Sequence, residues 1–262
     1  MEYGVVSAVA FLLSALVLYS GFGLGTLLMP VFALFFPVPT AVASTAVVHL
    51  ANNVFKIGFT GRHADWRVAL VFGVPGVLFA SLGALLLVWV SSVGPLATYH
   101  LGSREFSVTT VKLVVAALIA SFAVLELSPA FSKWHFPRRY LALGGAMSGF
   151  FGGLSGHQGA LRSAVLSNVG LSPAAFVGTG SVASVMVDMA RVVVYGAGYF
   201  SGSYATIFEG GSLGVVLAAI VAAFFGTYLS SRFLKKLTIK TIRSLVGVLL
   251  GLLALALATG LA

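Results

Sequence analysis

Asp188 and Arg191 stand three residues apart in a stretch that is otherwise almost wholly apolar. That spacing is about one helical turn, so the two can pair. A permanent pair would be structural. A pair that opens when the arginine engages an anion would leave Asp188 free to carry a proton. Arg162 lies in a second apolar stretch with no acid near it in sequence. An arginine there needs a reason: it is either a second partner for Asp188 or a counter-charge for an anionic ligand. Thr45, His49, either Asn52 or Asn53, and Lys56 fall on one helical face. Polar groups on a membrane helix turn toward protein or a water-filled cavity, although Lys56 is near enough to a loop at Gly61 to snorkel. Thr179, Ser181, Ser184, Asp188 and Arg191 form the matching face further along. His49 and His157 titrate where a proton-coupled process needs it, and each could equally be a packing residue. His63, His100 and His135 fall in predicted loops. No His/Glu grouping has metal-ligand spacing, and with no cysteine in the chain thiolate chemistry is excluded.

The elements that must hold these residues are membrane helices. Of 262 residues, 59% are hydrophobic and 8% charged, against about 25% charged in an ordinary soluble domain. Disorder is excluded by the same numbers, since it requires low hydrophobicity. Val68–Val90 and Ser212–Ser231 each run without a charge, Ser244–Ala262 and Ser172–Val187 nearly so, and Val108–Leu125 carries only Lys112. Such stretches are long enough to cross a bilayer core, which takes roughly 20 residues. The opening residues Met1-Glu2-Tyr3 lack the basic start of a cleaved signal peptide. The net charge of +9 reads as basic loops flanking apolar spans rather than as a nucleic-acid surface. The longest polar connection, Ser91–Ser107, is too short for a core of its own.

The chain repeats itself. Val38–Thr45 aligns with Ser172–Thr179 at an offset of 134, and the same register sets the glycine-rich run Gly21–Gly25 against Ser155–Gly159. Each half reads as a glycine-interrupted apolar pair followed by three spans. The pairs are Gly4–Tyr19 with Leu24–Phe36, and Leu141–Leu154 with Gln158–Val169, each arm short for a crossing. If each pair contributes an even number of crossings, Arg62, Arg67, Lys133, Arg138, Arg139, Arg232, Lys235, Lys236, Lys240 and Arg243 share one side. Only Arg104 and Lys112 then face the other. The positive-inside rule selects that arrangement. Both termini then face outward, and the halves (1–128 and 129–262) have opposite orientations. Inverted repeats with broken helices at mid-membrane are a recurrent transporter design.

A helix starting after a glycine break points free N–H groups and a positive dipole end at the membrane centre. Two such starts, near Leu24 and Gln158, would form an anion cradle. The alternative use of the glycines is close helix packing.

The order of these motifs resembles the sulfite exporter TauE/SafE family. The resemblance is carried by Gly21-Phe22-Gly23-Leu24-Gly25, Leu27-Leu28-Met29-Pro30, Pro39, Ala43, Thr45 and Asp65-Trp66-Arg67. A degenerate copy runs from Gly149 to Gly159. It spans essentially the whole chain and implies transport of sulfite, sulfonates or related organosulfur anions. His157-Gln158 and Ala164 stand where the family tends to carry a further glycine and a proline.

The expectation is therefore an all-α, multi-pass protein of the cell inner membrane, built from two inverted halves and carrying a small anion by alternating access with proton coupling. The alternatives are a passive anion channel and a carrier of a non-sulfur carboxylate. An enzyme is not expected, because paired carboxylates, a metal set and a nucleophile elbow are all missing from the sequence. No cofactor, metal or nucleic acid is expected; the bilayer is a partner, and a homodimer is compatible with the reading. The substrate is expected to contact Gly23, Leu24, Gly25, Thr45, His49, Asn53, Gly156, His157, Gln158, Gly159, Arg162 and Thr179, with Asp188 and His49 coupling protons.

Overall fold

The computed structural model describes residues 2–17, 24–102, 104–128, 136–198, 212–233 and 239–261. Among them the helices are α1 (Glu2–Val17), α2 (Leu24–Ala33), α3 (Val38–Thr60), α4 (Trp66–Ser91), α5 (Thr110–Leu127), α6 (Leu141–Ser155), α7 (Gly159–Leu166), α8 (Pro173–Gly198), α9 (Ser212–Phe233) and α10 (Ile239–Ala258). The boundaries follow capping chemistry where it is visible. Asp65 caps α4 by accepting from the Val68 amide at 3.0 Å, and Thr109 caps α5 through the Lys112 amide at 3.2 Å.

Among the described residues four helices, α4, α5, α8 and α9, are long and apolar enough to cross a membrane. With 23 residues, α3 has the length but is not among them, because its polar stripe lowers its hydropathy. The paired arms are shorter: α1 has 16 residues, α2 has 10, α6 has 15 and α7 has 8. At 1.5 Å per residue these reach about 12 to 24 Å, less than the hydrocarbon core of about 30 Å.

The second pair is a hairpin that returns to the side it came from. Gly152 lies against Gln158 near the tip, and Gly144, two turns back, lies against Val165. Gly156 makes the turn with φ +81° as the left-handed cap of α6. The first pair packs similarly, α1 on α2, but its break, Gly21–Gly23, lies outside the described residues.

The tightest packing in the bundle joins α4 to α6. A Cβ placed on Gly145, Gly149 or Gly153 would run into the backbone carbonyl of Phe72, Gly76 or Ala80. The contacts advance by four residues on both helices, so the two run parallel, backbone to backbone, along a small-residue seam. Glycine serves here by close approach. We expect Gly149→Leu to lower the thermal unfolding midpoint of purified protein sharply, at a cost of about 3 kcal/mol or more. Gly196→Ala, where nothing lies within 4 Å, should leave the midpoint unchanged or slightly raised. On the other side α1 packs on α9, with Tyr3 at Gly214 and Phe11 and Ser14 at Gly226. That pair also runs parallel. α3 packs on α8, and α5 on α10.

The Ser91–Ser107 connection, too short for a core of its own, carries local structure: Pro95–Leu101 (β1) and Arg104–Thr109 (β2) form an antiparallel hairpin, a small two-stranded cap on the helical fold. Alternating apolar residues in a β-branched setting carry that strand. Its Tyr99 hydroxyl donates to the Thr259 carbonyl, and the Lys112 ammonium donates to Gly260 at 3.3 Å. The end of α10 and the hairpin therefore occupy the same end of the bundle. At the opposite end Gly178 abuts Thr60 and Ala64, and Arg67 and Arg138 line one cleft.

Candidate functional site

Asp188 is the hub of a polar cluster with no solvent exposure. Its position on α8 faces α3, so the stripes expected on both helices meet. His49 Nδ1 lies 2.7 Å from Asp188 Oδ2, and Asn53 Nδ2 donates to the same oxygen at 3.3 Å. Gln158 Nε2 donates to Oδ1 at 2.7 Å, and Arg191 grips Oδ1 through Nε at 3.0 Å and Nη2 at 2.8 Å. His49 and Asn53 come from the first half, Gln158 and Arg191 from the second. One carboxylate thus gathers donors from four places on the chain, the geometry that keeps a buried charge tolerable.

Arg191 does a second job. Its Nη1 donates to the Gly152 carbonyl at 3.0 Å, placing a cation against the C-terminal turn of α6, where the helix dipole favours it. Tyr195, one turn further along α8, donates to the Gly153 carbonyl. Ser148 holds the Gln158 carbonyl at 2.9 Å. The tip of the second hairpin is thereby fixed from behind.

The start of α2 touches the tip of the second hairpin. A Cβ on Gly25 would stand 3.4 Å from the Gly156 carbonyl, 3.6 Å from the His49 ring and 3.6 Å from the Thr45 methyl. Gly25, at the start of α2, therefore lies against both Gly156 and the His49 ring. Gly159 begins α7, two residues beyond His157. Arg162, on α7, is buried and donates to Ser184 Oγ. Its Nε passes 3.7 Å from where a Cβ on Gly180 would be, which puts the guanidinium against α8. Lys56 is buried one turn below Asn53, within electrostatic range of Arg162 and Asp188.

Not every candidate joins this cluster. Thr179 lies toward the α3–α4 turn, where its hydroxyl accepts from the Asp65 amide at 2.9 Å. His157 turns toward α5: Nδ1 is 2.7 Å from the Ser155 carbonyl, and the ring stacks on Phe122 at 5.7 Å. Gly23 lies outside the described residues. Thr45 Oγ1, Thr26 Oγ1 and His157 Nε2 are buried without a hydrogen-bond partner among the described residues, and such groups are few in a folded protein.

The family model for sulfite exporter TauE/SafE matches residues 6–257, nearly the full chain. The chain belongs to the sulfite exporter TauE/SafE family. It is a multi-pass membrane transporter of that family. No curated protein and no solved structure matches it. Among the described residues no group of His, Cys, Asp and Glu could hold a metal ion.

Sequence reading of this TauE/SafE protein missed the supports behind the hub. Ser148 and Tyr195 act through backbone carbonyls, and Asn52, on α3 beside Asn53, accepts from Thr227 on α9 at 2.8 Å instead of facing Asp188. The recurrence of Gly145, Gly149 and Gly153 at intervals of four was the available signal for the seam.

Proposed function

We propose that the protein is a secondary carrier of a small oxyanion (sulfite, an organosulfonate or a related organosulfur anion), working by proton-coupled alternating access in the cytoplasmic membrane. The observation that carries this reading is a set of buried donors converging where the start of α2 meets the second hairpin. Gln158, Asn53 and Arg191 all donate to the Asp188 carboxylate, and Arg162 is buried against Ser184, one turn before Asp188 on α8; arginine does not give up its proton in a protein. Converging buried donors are what an arriving anion needs.

In this reading the substrate takes over acceptor positions that Asp188 now fills. Gln158, Asn53 and Arg191 each point an N–H at its carboxylate, and an oxyanion presents the same kind of acceptor. Arg162 supplies a planar fork suited to an oxyanion. When substrate draws these donors, Asp188 loses its compensation and accepts a proton, with His49 at 2.7 Å as the neighbour that delivers it. The start of α2 adds backbone N–H groups from the first half.

The packing supports an inverted repeat. α4 on α6 and α1 on α9 are both parallel pairs, each joining the fourth helix of one half to the first helix of the other. α3 on α8 and α5 on α10 pair equivalent helices across the halves. Such an arrangement lets the hairpins rock against the α3–α8 pair and present the site to either side.

Counterflow in proteoliposomes tests the carrier class. Unlabelled sulfite loaded inside should accelerate uptake of labelled sulfite; a channel gives no such acceleration. Orientation is tested separately. The chain has no cysteine, so Arg139→Cys and Thr98→Cys are each the sole thiol. Impermeant maleimide applied to intact cells should label position 98 and spare position 139. Labelling at 139 from outside would overturn the inverted orientation.

A further inference from the structure

We infer that the cleft between the first turns of α4 and α6 binds the headgroup of an anionic phospholipid. The cleft is about 350 Å³ and is lined by Arg67, Val68, Val71, Arg138 and Leu141. Both arginines are exposed. Neither guanidinium has a hydrogen bond or ion pair to another described residue. The nearest carboxylate in sequence, Asp65, is engaged as the cap of α4. Two unspent guanidiniums on facing walls suit a phosphodiester.

The surface leading away from the cleft chooses a lipid over a free anion. Arg67, Val71, Val74 and Leu78 are spaced four, three and four apart, one stripe of α4. Its three apolar members are 44%, 50% and 62% exposed. On α6, Leu143 and Met147 are exposed in the same way. Because the two helices run parallel, both apolar strips descend from the basic cleft in the same direction. A charged head above two bare hydrocarbon tracks is the profile of a phospholipid, and a small inorganic anion has no use for the tracks. Trp66 and Tyr140 are exposed at the same level, and Arg139 lies 4.9 Å over the Tyr140 ring. Amphipathic rings collect at headgroup depth, and basic pockets between membrane helices are where anionic headgroups dock.

The test uses the full chain purified in a neutral detergent. Phosphatidylglycerol, phosphatidylcholine and inorganic phosphate are titrated separately, reading the thermal unfolding midpoint and lipid adducts by native mass spectrometry. Phosphatidylglycerol should raise the midpoint, and neither of the others should. The Arg67→Ala/Arg138→Ala double variant should bind phosphatidylglycerol about tenfold or more weakly, with Arg232→Ala as a control that keeps the wild-type affinity. Undiminished phosphatidylglycerol affinity in the double variant overturns the proposal. So does an equal midpoint shift with phosphate alone, which would make this a free-anion site.

Discussion

Arg162→Ala should abolish binding of the transported anion while leaving the protein folded and inserted. The guanidinium is buried on α7, beyond the hairpin tip, and donates to Ser184 on α8. Burying an arginine within a membrane costs about 2.5 kcal/mol or more, so alanine removes a liability from the fold. Binding is another matter. A hydrogen bond to a charged group is worth about 1.5 kcal/mol at least, and a bidentate grip makes two, so the loss is about 3 kcal/mol or roughly a hundredfold. Arg162→Lys should recover part of this, since a point charge attracts the anion without matching its plane. The check is a thermal-shift and calorimetric titration against sulfite, thiosulfate, sulfate, sulfoacetate and taurine. Wild-type affinity in Arg162→Ala would remove Arg162 from the site.

Asp188→Asn should uncouple transport. The amide keeps the size of the carboxylate and can still accept from Gln158, but it does not titrate. Uptake driven by an imposed proton gradient should fall to the passive level, whereas one-for-one exchange of sulfite across proteoliposomes continues. A purely structural Asp188 predicts something different. Removing one member of a buried ion pair costs about 3–5 kcal/mol, and the cost would fall on Arg191, whose guanidinium also holds the Gly152 carbonyl. In that case expression and thermal stability drop, and the surviving protein accumulates substrate with unaltered pH dependence. That outcome would end the coupling role of Asp188 and leave the anion site to be judged on Arg162 alone.

The helical architecture was legible because it rests on length and apolarity: α4 is Trp66–Ser91 where the charge-free run is Val68–Val90, and α6 is Leu141–Ser155 where the arm is Leu141–Leu154. The polar stripes were legible too, since helical spacing fixes which side chains share a face. His49, Asn53 and Asp188 do converge. What spacing does not fix is rotation of one helix against another. Thr179 lies on the expected face of α8 but nine residues before Asp188, far enough along the axis to serve the Asp65 amide instead. His157 sits at the expected break, yet the left-handed turn at Gly156 aims its ring at Phe122. The strand hairpin at Pro95–Thr109 escaped because a short alternation between two long spans reads as a loop.

The pairing of α1 with α9 bears on how the chain is made. Tyr3 rests on Gly214 and Phe11 on Gly226, so α1 packs against a segment synthesised about 200 residues later. At about 5–20 residues per second, that partner arrives roughly 10–40 seconds afterwards. Throughout that interval α1 carries Ser14, which is fully buried in the finished protein, beside lipid or the insertion machinery. The glycine seam has the same property on a shorter timescale, since α4 waits for α6. Neither half closes its own surface, so a ribosome stalled after the first half leaves an incomplete fold for membrane quality control.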